Sequence, residues 1–229
     1  METIEIKNIY GDVIFKHEAE NNSITLTVEA AVSCGVSLAK ANLAGACLAV
    51  ADLEGANLAG ADLSWADLSW ADLADANLKE ANLKEANLKG AFIEGADLTE
   101  ADITGANINW AKLNGAKNIP YIPLACPSEG AFVAWKKVDG KYLVKLQIPE
   151  DARRSSATSS KCRCDKAMVL DITSLDGETH FDEVVNHNYK AATYKVGEFV
   201  YPDSFDENRW NECSHGIHFF INKEEAINY

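Results

Sequence analysis

Positive charge is scarce in this chain. Its 21 Lys and Arg stand against 35 Asp and Glu in 229 residues, a formal net charge of −14. That balance argues against a general binder of nucleic acid or of an anionic membrane surface, since both need cations to meet phosphate. The opening METIEIKN has neither a basic start nor an apolar run, so no secretion signal is expected there. No stretch is long and apolar enough for a membrane span. The six cysteines show no dense disulfide spacing, and reduced thiols in a cytoplasm are the expectation. His17, His180, His187, His215 and His218 are accompanied by no GxSxG word and no Cys-His signature. No catalytic residue is therefore assigned, and no cofactor is expected.

The middle of the chain also lacks both common periods, 3.6 for a helix and 2 for a strand. A Leu or Ile falls instead on every fifth residue from Leu38 to Leu113, sixteen times. Two residues before each stands Ala, from Ala41 to Ala111, with Val36 at the first. Asn or Asp usually lies between, and Cys47, Phe92 and Lys112 are irregular spots in that position. A short repeat of fixed period signals a solenoid. These words (ANLAG, ADLEG, ADLSW) resemble the pentapeptide-repeat family. The resemblance implies a right-handed quadrilateral β-helix with four pentapeptides per coil, Leu and Ala inward and the other three positions outward. Sixteen pentapeptides then make about four coils, a rod of roughly 20 Å at ~4.8 Å per coil.

The flanks read differently. Residues 2–9 alternate apolar and polar, Tyr10-Gly11-Asp12 makes a turn, and Val13-Ile14-Phe15 begins a second strand. Asn22-Ser23 supplies a helix N-cap and Gly35 a stop, so a ββα unit is expected over 1–36, closing the end of the solenoid. The repeats occupy 37–117. Pro120, Pro123 and Pro127 mark a linker over 118–129. In 130–229, AFVAWKKV-DG-KYLVKLQI is a hairpin pattern. Further strands are expected over 166–173, 193–200 and 216–221, with a short helix from Lys223 to Tyr229. The fold class is thus mainly β: a solenoid with a ββα cap and a C-terminal α+β domain dominated by antiparallel strands.

Outward residues of such a rod stack in columns twenty apart. Trp70, Gly90 and Trp110 share one column, and Trp65 lies one face over from Trp70. Exposed aromatics of this kind mark contacts, so Trp65, Trp70 and Trp110 are candidate partner-binding residues, covered either by the chain's own C-terminal domain, by a second copy, by a ligand or by a foreign protein. Asp62, Asp67 and Asp72 fall on successive faces, with Lys79, Lys84 and Lys89 one coil later. Members of the family that protect topoisomerase resemble DNA in shape and charge. The lysine belt and the short rod favour a solvated face instead.

Two stretches of the C-terminal domain carry possible chemistry. ARRSSATSSKCRCDK gathers Arg153, Arg154, Ser155, Lys161 and Arg163, the donors an anion needs. The Gly and helix start of a phosphate cradle are missing. Cys162 and Cys164, with Cys213, His215 and His218, suit zinc by ligand type, but CxC is not a usual zinc knuckle. Core cysteines are the preferred reading, so no metal is assigned. The words IPEDARRSSAT, DKAMVLDI and FDENRWNECSHGIHFFINKEEA resemble an uncharacterised bacterial and prophage family over nearly the whole chain. More loosely, GIHFF with Ala226 and Tyr229 is similar to a segment of the NAD site of ADP-ribosyltransferases. His218 replaces a tyrosine there, and Glu224 and Glu225 are misplaced for the catalytic glutamate.

Two functions follow. The first is a non-enzymatic interaction protein, whose solenoid presents the tryptophans and whose C-terminal domain binds a protein partner or a small anion through Arg153–Lys166. By resemblance, it would be a phage-derived accessory or counter-defence factor. The second is a nucleotide-handling enzyme with Arg154, His218 and Tyr229 in its pocket. Neither involves direct nucleic-acid or membrane contact. The resemblance leaves homo-oligomerisation open: many solenoids of this family dimerise end to end, but here a C-terminal domain follows the last coil and stands to block that end.

Overall fold

The first turn of the chain is fixed by Gly11 at φ 94°, a conformation costly for any residue with a β-carbon. It joins β1 (Glu2–Lys7) to β2 (Val13–Ala19) as an antiparallel pair. Helix α1 (Ile24–Ser33) begins where Ser23 accepts a bond from the Leu26 N–H, and it buries Thr27, Val28 and Ala31. The computed structural model describes residues 1–187 and 192–229, and these form two units, Met1–Ile122 and Pro123–Tyr229.

In the first unit the repeats close on themselves every twenty residues. Parallel bridges join Asn42 to Asp62, Cys47 to Asp67 and so on to Asp97 with Lys117. Each bridge carries a reciprocal pair, such as Leu43 N–H to Asp62 O at 2.7 Å and Asp62 N–H to Ala41 O at 2.8 Å. The Leu side chains from Leu38 to Leu98 are essentially solvent-free, and the preceding alanines lie beside them. Small and large side chains alternate because the interior of so tight a coil cannot hold two large ones. Only Ile103 and Ile108, in the final coil, are half-buried.

The residue two after each Leu occupies the left-handed region, from Lys40 at φ 58° to Gly115 at φ 78°. This is where the chain turns a corner, and it explains the recurring Gly of the repeat. The Asn/Asp positions are not simply outward. Asp62, Asp67 and Asp72 accept the N–H of Ser64, Ser69 and Ala74, and the Asn82 and Asn87 amides donate to Asp62 and Asp67 one coil before. These carboxylates hold corners together. At the start of the solenoid, Ile9 N–H bonds Lys40 O, Asn42 N–H bonds Lys7 O, and Glu29 accepts the Asp52 N–H.

In the second unit, β3 (Phe132–Val138) and β4 (Tyr142–Ile148) form the hairpin expected from Asp139-Gly140, both at positive φ. The Arg-rich stretch is not a loop throughout. It contains β5 (Arg154–Ser156) and β6 (Cys162–Cys164), and β7 (Ala167–Ser174) follows. β8 (Glu183–Asn186) has no clear sequence signal. The expected strand over 193–200 is two, β9 (Ala192–Lys195) and β10 (Phe199–Val200), because Gly197 turns the chain at φ 82°. β11 (Ile217–Phe219) and α2 (Lys223–Asn228), capped by Asn222, complete the unit. All strand pairs here are antiparallel, in the orders β10-β7-β4-β3, β11-β6-β5 and β8-β9. A bridge from Trp135 to Phe220 joins the first two sheets. Their inner faces enclose one core, from Ala134 and Leu146 to Cys164, Val169 and Phe219. The fold as a whole is mainly β.

Candidate functional sites

Trp65, Trp70 and Trp110 all stand at left-handed corner positions, where the α-carbon projects its side chain off the rod. Trp65 is 69% exposed, Trp70 52% and Trp110 41%. Trp70 N–H bonds Lys89 O and Gly90 N–H bonds Asn109 O, which sets Trp70, Gly90 and Trp110 in one column. Val50 heads the same column and is also exposed. The indole of Trp70 covers Gly90. Nearby, Lys79 pairs with Asp97 at 3.3 Å and Lys84 with Asp102 at 3.0 Å, so acids that a DNA-like surface would display are partly neutralised.

The basic residues of 152–166 are engaged inside their own domain. Arg154 donates to the carbonyls of Pro127, Gly130, Pro149 and Glu150, and its guanidinium lies over the Phe132 ring. Arg163 donates to the carbonyls of Asp206, Asn208 and Asn211 and so ties down the segment before β11. Arg153 pairs with Asp165 and Glu207, both at 2.8 Å. Ser155 is buried. Arg209, which the sequence did not mark, clamps the carbonyls of Ser156 and Pro123. Guanidinium forks placed on several carbonyls have few donors left for a ligand.

Register brings the two singled-out stretches together. β6 pairs with β11 so that His218 lies opposite Arg163 and Phe219 opposite Cys162. Lys161 Nζ reaches the Tyr229 hydroxyl at 2.9 Å and Cys213 Sγ at 3.2 Å. Burial pulls the Lys161 ammonium down, but its bonds to Tyr229 and Cys213 outweigh that and leave it raised. His218 Nε2 donates to Ser214 O at 2.8 Å, which makes Nδ1 the unprotonated nitrogen of the neutral ring. Burial, with the charges of Lys161 and Lys136, holds His218 down at about 4.

Lys136 is the residue that sequence reasoning missed. Phe132, Ala134, Lys136 and Val138 share one face of β3, and Ala134 and Val138 are buried, so a lysine stands on the core-facing side. The signal was present in the alternation of FVAWKKV. Burial, aided by the Lys161 charge, lowers the Lys136 ammonium to about 8. Two adjoining cavities of about 160 and 250 Å³ share Lys136, Asn186 and His218 in their walls.

For a metal the arrangement is poor. Cys162 and Cys164 are buried, Cys213 is exposed, and His215 bonds Asp203. Burial raises the Cys164 thiol, while its bond to Cys126 is the first cause raising Cys162. Both therefore stay protonated, unlike a metal-bound thiolate. Among the described residues no three His, Cys, Asp or Glu gather as a metal site requires. Among the same residues no helix is long and apolar enough to cross a membrane.

Comparison with known proteins divides the chain in the same way. Residues 37–75 and 76–115 match pentapeptide repeats, and residues 122–226 match a family of unknown function, DUF5758. Rfr23, a pentapeptide repeat protein from the cyanobacterium Cyanothece 51142, is 44% identical over 33% of this chain and 51% of its own, with a TM-score of 0.33. The present chain thus spans about half the length of that relative. A pentapeptide repeat protein from Nostoc Pcc 7120, alr5209, is 29% identical over 44% of this chain and 92% of its own, with a TM-score of 0.36. No curated protein matches. Residues 37–115 are pentapeptide repeats, and they are joined to a C-terminal domain that belongs to a family of unknown function.

Proposed function

We propose that this chain is a non-enzymatic interaction protein working in a cytoplasm. Its repeats, over 37–117, form a right-handed quadrilateral β-helix of about four coils, closed at one end by the ββα unit of 1–36. That rigid body presents Trp65 and Trp70 to a protein partner. Residues 118–129 serve as a linker, and the domain of 130–229 takes a small anionic ligand. Pentapeptide repeats generally act as scaffolds rather than enzymes, which supports this reading.

The observation that carries it is the pair of indoles on successive corners, 69% and 52% exposed, on a backbone that every coil fixes by hydrogen bonds. Two large aromatics held rigidly in water lose little entropy on binding and gain a large buried area, the profile of interface anchors. The test is photo-crosslinking of the full chain in a bacterial lysate, with a Trp65→Ala/Trp70→Ala variant of unchanged circular dichroism beside it. A discrete adduct of the wild type that the variant loses supports the reading. Equal adducts, or none, overturn it.

A further inference from the structure

The core-facing ammonium of Lys136 has an unusual position. Among the described residues no hydrogen bond or ion pair reaches it, and the carboxylates at the cavity walls are engaged elsewhere. Asp139 bonds His187 Nδ1 at 2.6 Å and Asp203 bonds His215 at 3.3 Å. Residues 188–191 are Asn, Tyr, Lys and Ala, which bring no carboxylate by composition. Lys161 adds a second cation to the surroundings of Lys136, the protonated Cys164 thiol is uncharged, and His218 across the cavity is neutral. A half-buried lysine whose ammonium meets no counter-ion carries a desolvation cost that nothing among the described residues of the domain offsets. A ligand that supplies the missing negative charge removes that cost.

The cavity itself narrows the ligand. Lys136, Asn186 and His218 make its polar end, Tyr194, Val200 and Ile217 its apolar wall, and Asp203, also in the wall, is bonded to His215. Burial raises the Tyr194 hydroxyl, which keeps it neutral. At about 160 Å³ the space is close to that of a cavity of about 150 Å³ that admits benzene. Phosphate groups are normally met by several N–H donors or by guanidinium forks, whereas the Arg154 and Arg163 forks of this domain are fixed on backbone carbonyls. One ammonium, one amide and an apolar wall suit a single carboxylate on a compact hydrocarbon body.

We propose that the Lys136 cavity binds a small organic monocarboxylic acid, with the carboxylate on Lys136 and Asn186 and the apolar body against Tyr194, Val200 and Ile217. This deepens the ligand-binding half of the proposed function and is independent of the tryptophan corner. The probes are benzoate, its neutral isostere benzamide and inorganic phosphate, titrated calorimetrically into the full chain at neutral pH. Benzoate is expected to bind, benzamide and phosphate at least about tenfold more weakly, and Lys136→Met to lose benzoate by a similar factor while remaining folded. A second readout does not depend on the variant. The Lys136 ammonium, followed by NMR after ¹³C-methylation, should titrate at higher pH with benzoate present than without. Equal binding of benzoate and benzamide, tighter binding of phosphate, full binding by Lys136→Met or an unmoved Lys136 titration would each overturn the proposal. So would the absence of benzoate heat up to about 10 mM. The Trp65→Ala/Trp70→Ala variant should bind benzoate normally, which separates failure of this site from failure of the interaction surface.

Discussion

The indole of Trp70 lies across Gly90, one coil further along the chain, so closely that a β-carbon on Gly90 would stand 2.5 Å from Trp70 Cε3. Glycine at 90 is therefore favoured by its φ of 68° and required by the ring above it. Gly90→Ala should lower the stability of the repeat unit by about 2 kcal/mol, from left-handed strain together with displacement of the indole. Denaturation followed by tryptophan emission measures it. In a Trp70→Ala background the same substitution should cost only the strain, about 1 kcal/mol, and a double-mutant cycle without that coupling would disprove the contact.

Val50 heads the same column with φ 63°, a conformation that a β-branched residue adopts only under constraint. The side chain is 72% exposed and so gains little from burial in return. Val50→Gly or Val50→Asn should raise the stability of the repeat unit by about 1 kcal/mol. The reverse change, Gly45→Val, should lower it by a similar amount, since Gly45 holds φ 66° at the preceding corner. Melting curves of the three variants would show whether corner strain, rather than the outward side chain, sets the ranking. If Val50→Gly is less stable than the wild type, the exposed valine has a packing role that its corner geometry does not reveal.

The five-residue repeat made the solenoid legible because its core is one-dimensional: Leu38 to Leu113 meet only near copies of themselves, so local pattern and tertiary contact coincide. The left-handed corner was also written in the recurring Gly, but Trp65 and Trp70 at that position hid it. The C-terminal domain was legible where a turn is local, as at Asp139-Gly140. It was not where a residue's role depends on distant chain. Arg154 reads as a surface cation until Pro127, Gly130 and Pro149 are seen to aim their carbonyls at it. Lys136 reads as one of two exposed lysines until the burial of Ala134 and Val138 assigns its face.

Acid should loosen the repeats through their corner carboxylates. Asp97 is held down at about 2, first by the Thr99 hydroxyl, then by the Thr99 N–H at 3.1 Å and by Lys79. Asp102 is held down at about 2 by Thr104 and Lys84 in the same way. A carboxylate with a lowered value in the fold stabilises it above the ordinary carboxylate pKa near 4, and that contribution fades as pH falls toward about 2. Thr99→Ala should move the Asp97 midpoint upward, toward the ordinary value, and shift acid unfolding of the repeats to higher pH. Carboxyl ¹³C shifts of Asp97 across pH 2–6 would read this directly. An unmoved midpoint would assign the lowering to Lys79 instead.

Arg154 gives the sharpest test of how the C-terminal domain is held. Its guanidinium serves four carbonyls at 2.8–3.0 Å, gathering the segment before β3, the end of β4 and its own approach to β5 around one cation. The planar fork and its stacking on Phe132 at 5.0 Å cannot be reproduced by an ammonium, which is a point charge with three donors. Arg154→Lys should therefore cost about 2–4 kcal/mol, since hydrogen bonds from a charged donor are worth ~1.5–3 kcal/mol each and at least one carbonyl is left unmet. Lys166→Gln, which breaks only the exposed pair with Asp151, should cost far less than Arg154→Lys. Urea unfolding followed by near-ultraviolet circular dichroism compares the two. Were Arg154→Lys as mild as Lys166→Gln, the carbonyls would not depend on the guanidinium, and Arg154 would again be a candidate for holding an anion.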